Sequence, residues 1–263
     1  MISAKGENMK IGLIGNGAIA GYARKMLEAR GHTIGAILLR RNITDTINCV
    51  TSVDKLPSNL DLMIDCAGHS ALINNGPEIL SRGIDLVTVS VGALANPQTY
   101  AALQKSAEKG ESKLHLASGA IGALDCLQAA RVGQLESVTY SGRKPPKGWK
   151  GSPAESQLDL DTLSETITHF RGSAREAALT YPKNANVAAA VALAGIGFDA
   201  TRVHLIADPS ISQNIHEIHS SGEFGSFSFQ IKGQSLPDNP RSSALAAMSV
   251  ISKLEQTQNF IVI

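Results

Sequence analysis

KIGLIGNGAIAGYARKML, residues 10–27, decides how the rest of the chain is read. KIGLIG predicts a strand, Gly15 and Gly17 a tight turn, and AIAGYARKMLEAR the helix after it. Gly15, Gly17 and Ala20 carry the G-x-G-x-x-A spacing of a dinucleotide-binding turn. In such a turn the first glycine makes the bend and the second lets backbone approach a pyrophosphate. The third position needs only a small side chain for helix–strand packing, which Ala20 supplies. The helix start at Ala18 and Ile19 then offers free N–H groups and a positive dipole end to the phosphates. The spacing alone is a weak signal, and its place between a strand and a helix gives it weight. The alternative is a glycine turn that only packs a strand–helix unit.

Working outward, strands and helices alternate through the first half of the chain. TIGAILL, LDLMIDCAG, DLVTVSVGA and SKLHLAS predict strands. GPEILSRG predicts a short helix closed by Gly83, and PQTYAALQKSAEKG a helix bounded by Pro97 and Gly110. That alternation implies a parallel sheet with right-handed crossovers. From about Ala120 the pattern changes. GALDCLQAARVG is helical and SVTYSGRK extended. PPKGWKGSPAES is a loop in which Pro145, Pro146 and Gly148 exclude regular structure. Helices are predicted around Ala174 to Leu179 and Val187 to Ala194. Three strand-like runs follow: TRVHLIAD, SQNIHEIHSS and FGSFSFQIKG. In the last, Phe227, Phe229 and Ile231 alternate with Ser228 and Gln230, as in a sheet with one buried face. SSALAAMSVISKL predicts a helix capped by Ser242 or Ser243. The expected class is α/β: a Rossmann dinucleotide-binding domain over 1–119, and a second α+β catalytic domain with a mixed or antiparallel sheet over 120–240. Residues 241–263 are expected to form a C-terminal helix and strand that pack back on the first domain.

Composition bounds the function classes. Of 263 residues, 43% are hydrophobic and 18% charged, an ordinary globular balance. A net charge of +1 gives no global field for nucleic acid or an anionic membrane, and 4% aromatic residues leave few stacking platforms for single strands. MISAKGENMK has no apolar secretory core, and Met9, just before the first strand, is an alternative start to Met1. VAAAVALAGIGF is too short to span a bilayer. Cys49, Cys66 and Cys126 are scattered, with no metal-site spacing. A soluble, cytoplasmic, reduced protein with no metal is expected.

The end of the second strand speaks to the nucleotide. NAD sites commonly carry an acid there, whereas this chain reads AILLRRN. Arg40, or the Arg40–Arg41 pair, can receive a 2′-phosphate through forked hydrogen bonds, which leans towards NADP or tolerance of both cofactors. Solvated surface charges are the alternative. For chemistry, a strand over QNIHEIHSS puts Asn214, His216 and Ile218 on one face and Glu217 and His219 on the other. Only one of the two histidines then faces a given cleft, where it would suit proton transfer near neutral pH. Asn184 and Asn186 precede a buried helix, as caps or as amides aimed at a cofactor. SGAIGALD is a small-residue turn that lets backbone approach a flat ring closely. Arg143, Lys144, Lys147 and Lys150 form a basic loop that binds an anion or is simply solvated.

GNGAIA, DLVTVSVGAL, SGAIGALD, RKPPKGW, YPKNANVAAAVALAG, ADPSISQNIHEI and SSALAAMSVI resemble, in order, the sequence blocks of the L-aspartate dehydrogenase family. The resemblance runs over nearly the whole chain. It implies NAD- or NADP-dependent oxidative deamination of L-aspartate to iminoaspartate, then to oxaloacetate and ammonia, feeding de novo NAD synthesis. It also implies a homodimer. Carried over by motif, the family's catalytic histidine falls on His216, as the general acid/base of the proton transfers. Its cofactor positions fall on Ala120 and Asn186. The substrate's two carboxylates call for a cation, and Lys144 is the candidate. Two positions depart from the family pattern. Ala20 replaces a glycine, and Leu39 stands where many relatives carry an acid, so a preference for NAD does not carry over. The K-x-D-x-P-S-G-T loop and His-His segment of a dihydrodipicolinate-type reductase, a second reading, are absent. A nucleotide-sensing regulator, a third, would want a basic DNA-binding module.

Overall fold

The computed structural model describes residues 8–41, 48–236 and 239–261. In chain order the elements are β1 (Lys10–Ile14), α1 (Ala18–Glu28), β2 (Thr33–Leu38), β3 (Cys49–Val50), β4 (Leu62–Asp65), α2 (His69–Ser81), β5 (Asp85–Thr88), α3 (Pro97–Gly110) and β6 (Leu114–Leu116). Then come α4 (Leu124–Ala130), β7 (Leu135–Lys144), β8 (Ile167–Ser173), α5 (Ala174–Thr180), α6 (Asn186–Ala194), β9 (Arg202–Ala207), β10 (Asn214–Gly222), β11 (Gly225–Gly233), β12 (Ser235–Leu236), β13 (Asn239–Ser243) and α7 (Ala244–Gln258). They fall into two compact units. The first takes the described residues of Met1–Ala93, Pro97–Ala117 and Ala246–Ile263; the second takes Leu94–Asn96 and Ser118–Leu245.

In the first unit six parallel strands are ordered β3-β2-β1-β4-β5-β6. The order reverses between β1 and β4, the crevice where a doubly wound sheet receives its ligand. These central strands are covered on both faces, so they read as apolar runs rather than as alternation. Gly12 belongs to that packing: a Cβ there would lie 1.9 Å from Met63 Sδ. One core joins Ile11 and Leu13 of β1, Leu27 of α1 and Leu62 and Ile64 of β4 to Val250, Ile251 and Leu254 of α7.

The second unit is built on a mixed five-stranded sheet, β11-β10-β7-β9-β8. Only β7 and β9 run parallel. Helices α5 and α6 pack on it and α4 packs on α6. After Asn186 every residue of α6 is apolar, and all of these but Leu193 are buried. The inner face carries Val138 and Tyr140 of β7, Val203 and Leu205 of β9, and His216 and Ile218 of β10, all buried. Phe227, Phe229 and Ile231 of β11 do alternate with exposed neighbours, but β11 is an edge strand and they are only half-buried.

Several local expectations are corrected. Helix α2 begins at His69, well before the Gly-Pro pair read as its start. Gly76 is a packing site, because a Cβ there would meet Leu103 Cδ2 at 2.8 Å. The proline-rich loop forms two short 3₁₀ turns, Pro146–Trp149 and Pro153–Ser156, since a proline at a first helical position lacks only an N–H that would be unpaired there. Strand β8 was not expected: apart from the exposed Arg171 it is half-buried throughout and shows no alternation to read. No strand follows α7 as far as Ile261, and β13 precedes that helix and pairs with β12. Residue 185, an alanine, occupies the N-cap position of α6, so neither Asn184 nor Asn186 does. Among the described residues no helix is long and apolar enough to cross a membrane.

Candidate active site

The glycine turn lies at the C-terminal end of β1, beside the switch point. Gly15 has φ +98°, a left-handed conformation, and a Cβ there would sit 2.9 Å from Ala67 Cβ in the loop after β4. Gly17, by contrast, has open space where a Cβ would be. It is the N-cap of α1 and makes no side-chain cap hydrogen bond, and the first turn holds no acid. Ala18 and Ile19 open that helix, so its N–H groups and dipole are left for an anion. Ala20, 1% exposed, fills the third position as packing. Gly15 N–H donates to Leu38 O (3.0 Å), which ties the turn to the end of β2. Arg40 and Arg41 come next in the chain and are exposed. These residues fit a dinucleotide: open space at Gly17, an uncapped helix start, and cations beyond β2.

Buried beneath the turn is Asp65, the last residue of β4. Its carboxylate accepts from Ala67 N–H (2.9 Å), Thr88 Oγ1 (2.7 Å) and Ser90 Oγ (2.6 Å). Burial pushes its pKa up, and the three donors oppose that shift. The loops after β4 and β5 are thereby tied to one buried group.

The second unit gathers a different set of side chains. Tyr140, Gly142 and Lys144 share one face of β7, and His216 stands opposite Gly142 on β10. The Tyr140 hydroxyl is 2.8 Å from His216 Nδ1, with the two rings stacked at an interplanar angle of 16°. Gly142 makes room for that contact, since a Cβ there would lie 2.6 Å from Tyr140 Oη. Lys144 Nζ donates to Asn184 Oδ1 (2.7 Å) and sits 4.9 Å from the centre of the Trp149 ring. The residue as a whole is only partly buried, but its ammonium end lies inside the cluster. Trp149 is fully buried and held by its Nε1–H on Ile206 O (3.0 Å). His169 packs edge-on against Trp149 at 4.4 Å, and its Nδ1 lies 3.3 Å from Tyr181 Oη. It occupies an irregularity in the β8–β9 register, the kind of bulge that re-aims a side chain.

The electrostatics follow from burial. Lys144 has no carboxylate partner among the described residues, and desolvation lowers its pKa to about 8. Burial, then the Lys144 charge, lowers His216 and His169 to about 4, so both rings are neutral at pH 7. Burial pushes the Tyr140 phenol up, so it stays protonated. His216 Nε2 makes no hydrogen bond to the described residues, yet it is not a sealed atom. Among the described residues the sealed, unpartnered side-chain atoms are His169 Nε2 and Thr201 Oγ1.

Of the residues singled out by sequence, His216 is thus brought together with Lys144 and Asn184. Ala120 is buried in the turn before α4, between Gly119 (φ +71°) and Ala123 (φ +57°). A Cβ on Gly122 in that turn would meet the Phe229 ring at 2.8 Å. Asn186 is the first residue of α6. The rest of the basic loop points elsewhere: Arg143 pairs with Asp208 (2.9 Å), Lys150 with Asp161, and Lys147 is exposed. His219 is on the other face of β10, exposed and bonded to Ser228. Asp208, whose pKa falls to about 2 through its bonds with Ser210 and Arg143, fixes the loop that leads into β10. Sequence reasoning missed Tyr140, Trp149 and His169. The period of two in Tyr140-Ser141-Gly142-Arg143-Lys144 carried a signal for the first; for the other two the partners are remote in sequence.

The chain matches two family models: "Homoserine dehydrogenase, NAD binding domain" over residues 11–117 and "Aspartate dehydrogenase, C-terminal" over residues 125–257. It is 51% identical over 258 residues to an L-aspartate dehydrogenase of Ruegeria pomeroyi, covering 96% of this chain and 94% of that one. Aspartate dehydrogenase from Thermotoga maritima, a solved structure, aligns over 98% of this chain and 100% of its own, at 25% identity and a TM-score of 0.79. A dihydrodipicolinate reductase from Paenisporosarcina sp. aligns over 96% and 95% at 12% identity and a TM-score of 0.56, a likeness of fold alone.

Proposed function

This chain belongs to the L-aspartate dehydrogenase family, and we propose that it catalyses the reversible NAD(P)-dependent oxidative deamination of L-aspartate to iminoaspartate, then oxaloacetate and ammonia. One observation carries the assignment of the site: an enclosed Lys144 ammonium with no carboxylate partner among the described residues, beside a neutral His216 whose Nε2 makes no hydrogen bond to them. A dicarboxylate substrate supplies the missing anion. In this reading Lys144 binds one substrate carboxylate, held at the right height by Asn184 and the Trp149 ring. His216 serves the nitrogen and oxygen substituents of the reacting carbon through Nε2, where the acid–base work of the reaction falls. Gly15, Gly17, Ala18 and Ile19 hold the pyrophosphate of the cofactor, Arg40 its adenosine end, and Ala120 and Asn186 its other contacts. When bound, the nicotinamide accepts the hydride from Cα.

The proposal includes a homodimer, cytoplasmic work and a supply of iminoaspartate for de novo NAD synthesis, as the family resemblance implies. Free thiols at Cys49, Cys66 and Cys126 agree with a reduced compartment. The outer face of the five-stranded sheet carries the part-exposed Ser141 and Glu217 and the exposed His219 and Gln230, and offers a second copy a surface. Light scattering on the purified protein reads the oligomeric state.

The test of the activity is direct. Purified protein is mixed with oxaloacetate, ammonium and NADH or NADPH, and the loss of nicotinamide absorbance is followed. Ammonia-dependent oxidation is expected, and His216→Ala is expected to lower kcat by about 10²–10⁴-fold with cofactor affinity kept. Cofactor binding without ammonia-dependent turnover would reject the reading.

A further inference from the structure

The contact between Tyr140 and His216 says more than that two buried rings touch. The phenol has one proton to place, and His216 Nδ1 is the hydrogen-bond partner of that hydroxyl at 2.8 Å. The hydroxyl sits over Gly142, on a residue 1% exposed. If Nδ1 carried the ring proton and donated it to Tyr140 Oη, the phenol proton would be left buried and unpaired. If the phenol donates to Nδ1 instead, the ring proton moves to Nε2, which is not among the sealed, unpartnered atoms of the described residues. The second arrangement leaves no donor unsatisfied, and the first is populated about tenfold less or lower.

We propose that Tyr140 is a positioning residue that locks His216 in the Nε2–H tautomer, so that the histidine meets the substrate as a neutral hydrogen-bond donor. This rests on the reading above and narrows His216's part in it. The depressed pKa of the ring agrees: an uncharged phenol, unlike a carboxylate, does nothing to stabilise an imidazolium, and Lys144 opposes one. The proton count does not need one either. Hydride loss from Cα of the neutral amine leaves an iminium. Water adds to its carbon, and the nitrogen collects the proton that the water oxygen sheds. The C–N bond then breaks as the C=O bond forms and the hydroxyl proton passes to the departing ammonia, so iminium and water give ketone and ammonium with no proton left over. In the reverse, amination direction the carbonyl oxygen gains negative charge as ammonia attacks and then leaves as water, and a neutral donor on that oxygen is the role His216 Nε2–H fills.

The experiment is ¹⁵N NMR on protein labelled at histidine, with His216 assigned by its loss in His216→Gln. Wild-type His216 is expected to show Nε2 protonated and Nδ1 as an unprotonated acceptor from pH 5.5 to 9. A His216 ring with Nδ1 protonated, or an imidazolium at pH 7, would overturn the proposal with no variant needed. In Tyr140→Phe both neutral tautomers are expected, with kcat down about tenfold and KM for NAD(P)H unchanged; an unaltered tautomer would count against it. His216→Gln, which keeps an N–H donor, is expected to retain at least about tenfold more activity than His216→Ala, and equal losses would refute the donor role. The underlying reading fails separately: in that case His216→Ala turns over like wild type whatever the tautomer.

Discussion

At the scale of single residues, Lys144 shows how burial and chemistry are coupled. Its neighbours offer an amide oxygen and an aromatic face but no carboxylate, so the ammonium is held by weak partners and its pKa falls to about 8. The other titratable groups around it are His216 from β10 and His169 from β8, both neutral at pH 7. Lys144 is therefore charged below about pH 8 and loses its charge above it. A dicarboxylate inhibitor with no ionising amine, such as succinate, isolates this effect. Its inhibition constant is expected to be flat below pH 8 and to rise about tenfold per pH unit above it. In Lys144→Met that dependence should vanish and binding should be weak throughout. A pH-independent inhibition constant in the wild type would remove Lys144 as the carboxylate ligand.

At the scale of elements, the first strand–turn–helix unit divides its two glycines by task. Gly15 is forced by backbone and space: φ is +98° and Ala67 fills the place of a side chain. Gly17 is forced by neither, since its φ of −84° suits any residue and its Cβ position is open. Gly15→Ala is expected to cost about 1–3 kcal/mol of stability through strain. Gly17→Ala should melt like wild type yet bind NADH or NADPH at least about tenfold more weakly, because the methyl takes space the pyrophosphate needs. Thermal melts and fluorescence titrations separate the two. Equal cofactor affinity in Gly17→Ala would show that the pyrophosphate does not approach that backbone. This unit was legible in sequence because its causes are local. Strand β8 was not, because an edge strand's half-burial leaves no pattern. The start of α2 was misread because Gly76 answers to Leu103 on a different helix and not to the proline beside it.

At the scale of the whole molecule, burial holds His32, His204 and three basic groups of the site below their usual pKa values, and the sign of their joint effect is fixed. His216 and His169 are lowered from 6.5 to about 4, and Lys144 from 10.5 to about 8. Between each pair of values the unfolded chain binds a proton that the folded chain does not, so stability rises with pH across both windows. The melting temperature is expected to fall as pH drops from 6.5 towards 4, and the fall should be shallower in His216→Gln. A melting temperature that does not change between pH 6.5 and 4 would show that these histidines are not held neutral. The bond of Asp208 to Ser210 and Arg143 acts at lower pH in the same sense, its contribution being lost as pH falls from 3.8 towards about 2.

What the sequence determined by itself was the sheet class of the first unit, the glycine turn, the cofactor class, and which face of β10 His216 shares. Each follows from period, spacing or the steric demands of a few adjacent residues. Family membership, too, was carried by short contiguous blocks. Only the tertiary structure decided the company His216 keeps. Tyr140 and Lys144 come from β7, Trp149 from a 3₁₀ turn, His169 from β8 and Asn184 from the turn before α6, and the sheet register and the burial of α6 bring them together. Burial then sets their charges. A pKa, a tautomer or an unpaired ammonium belongs to a three-dimensional environment, and no local pattern of residues encodes it.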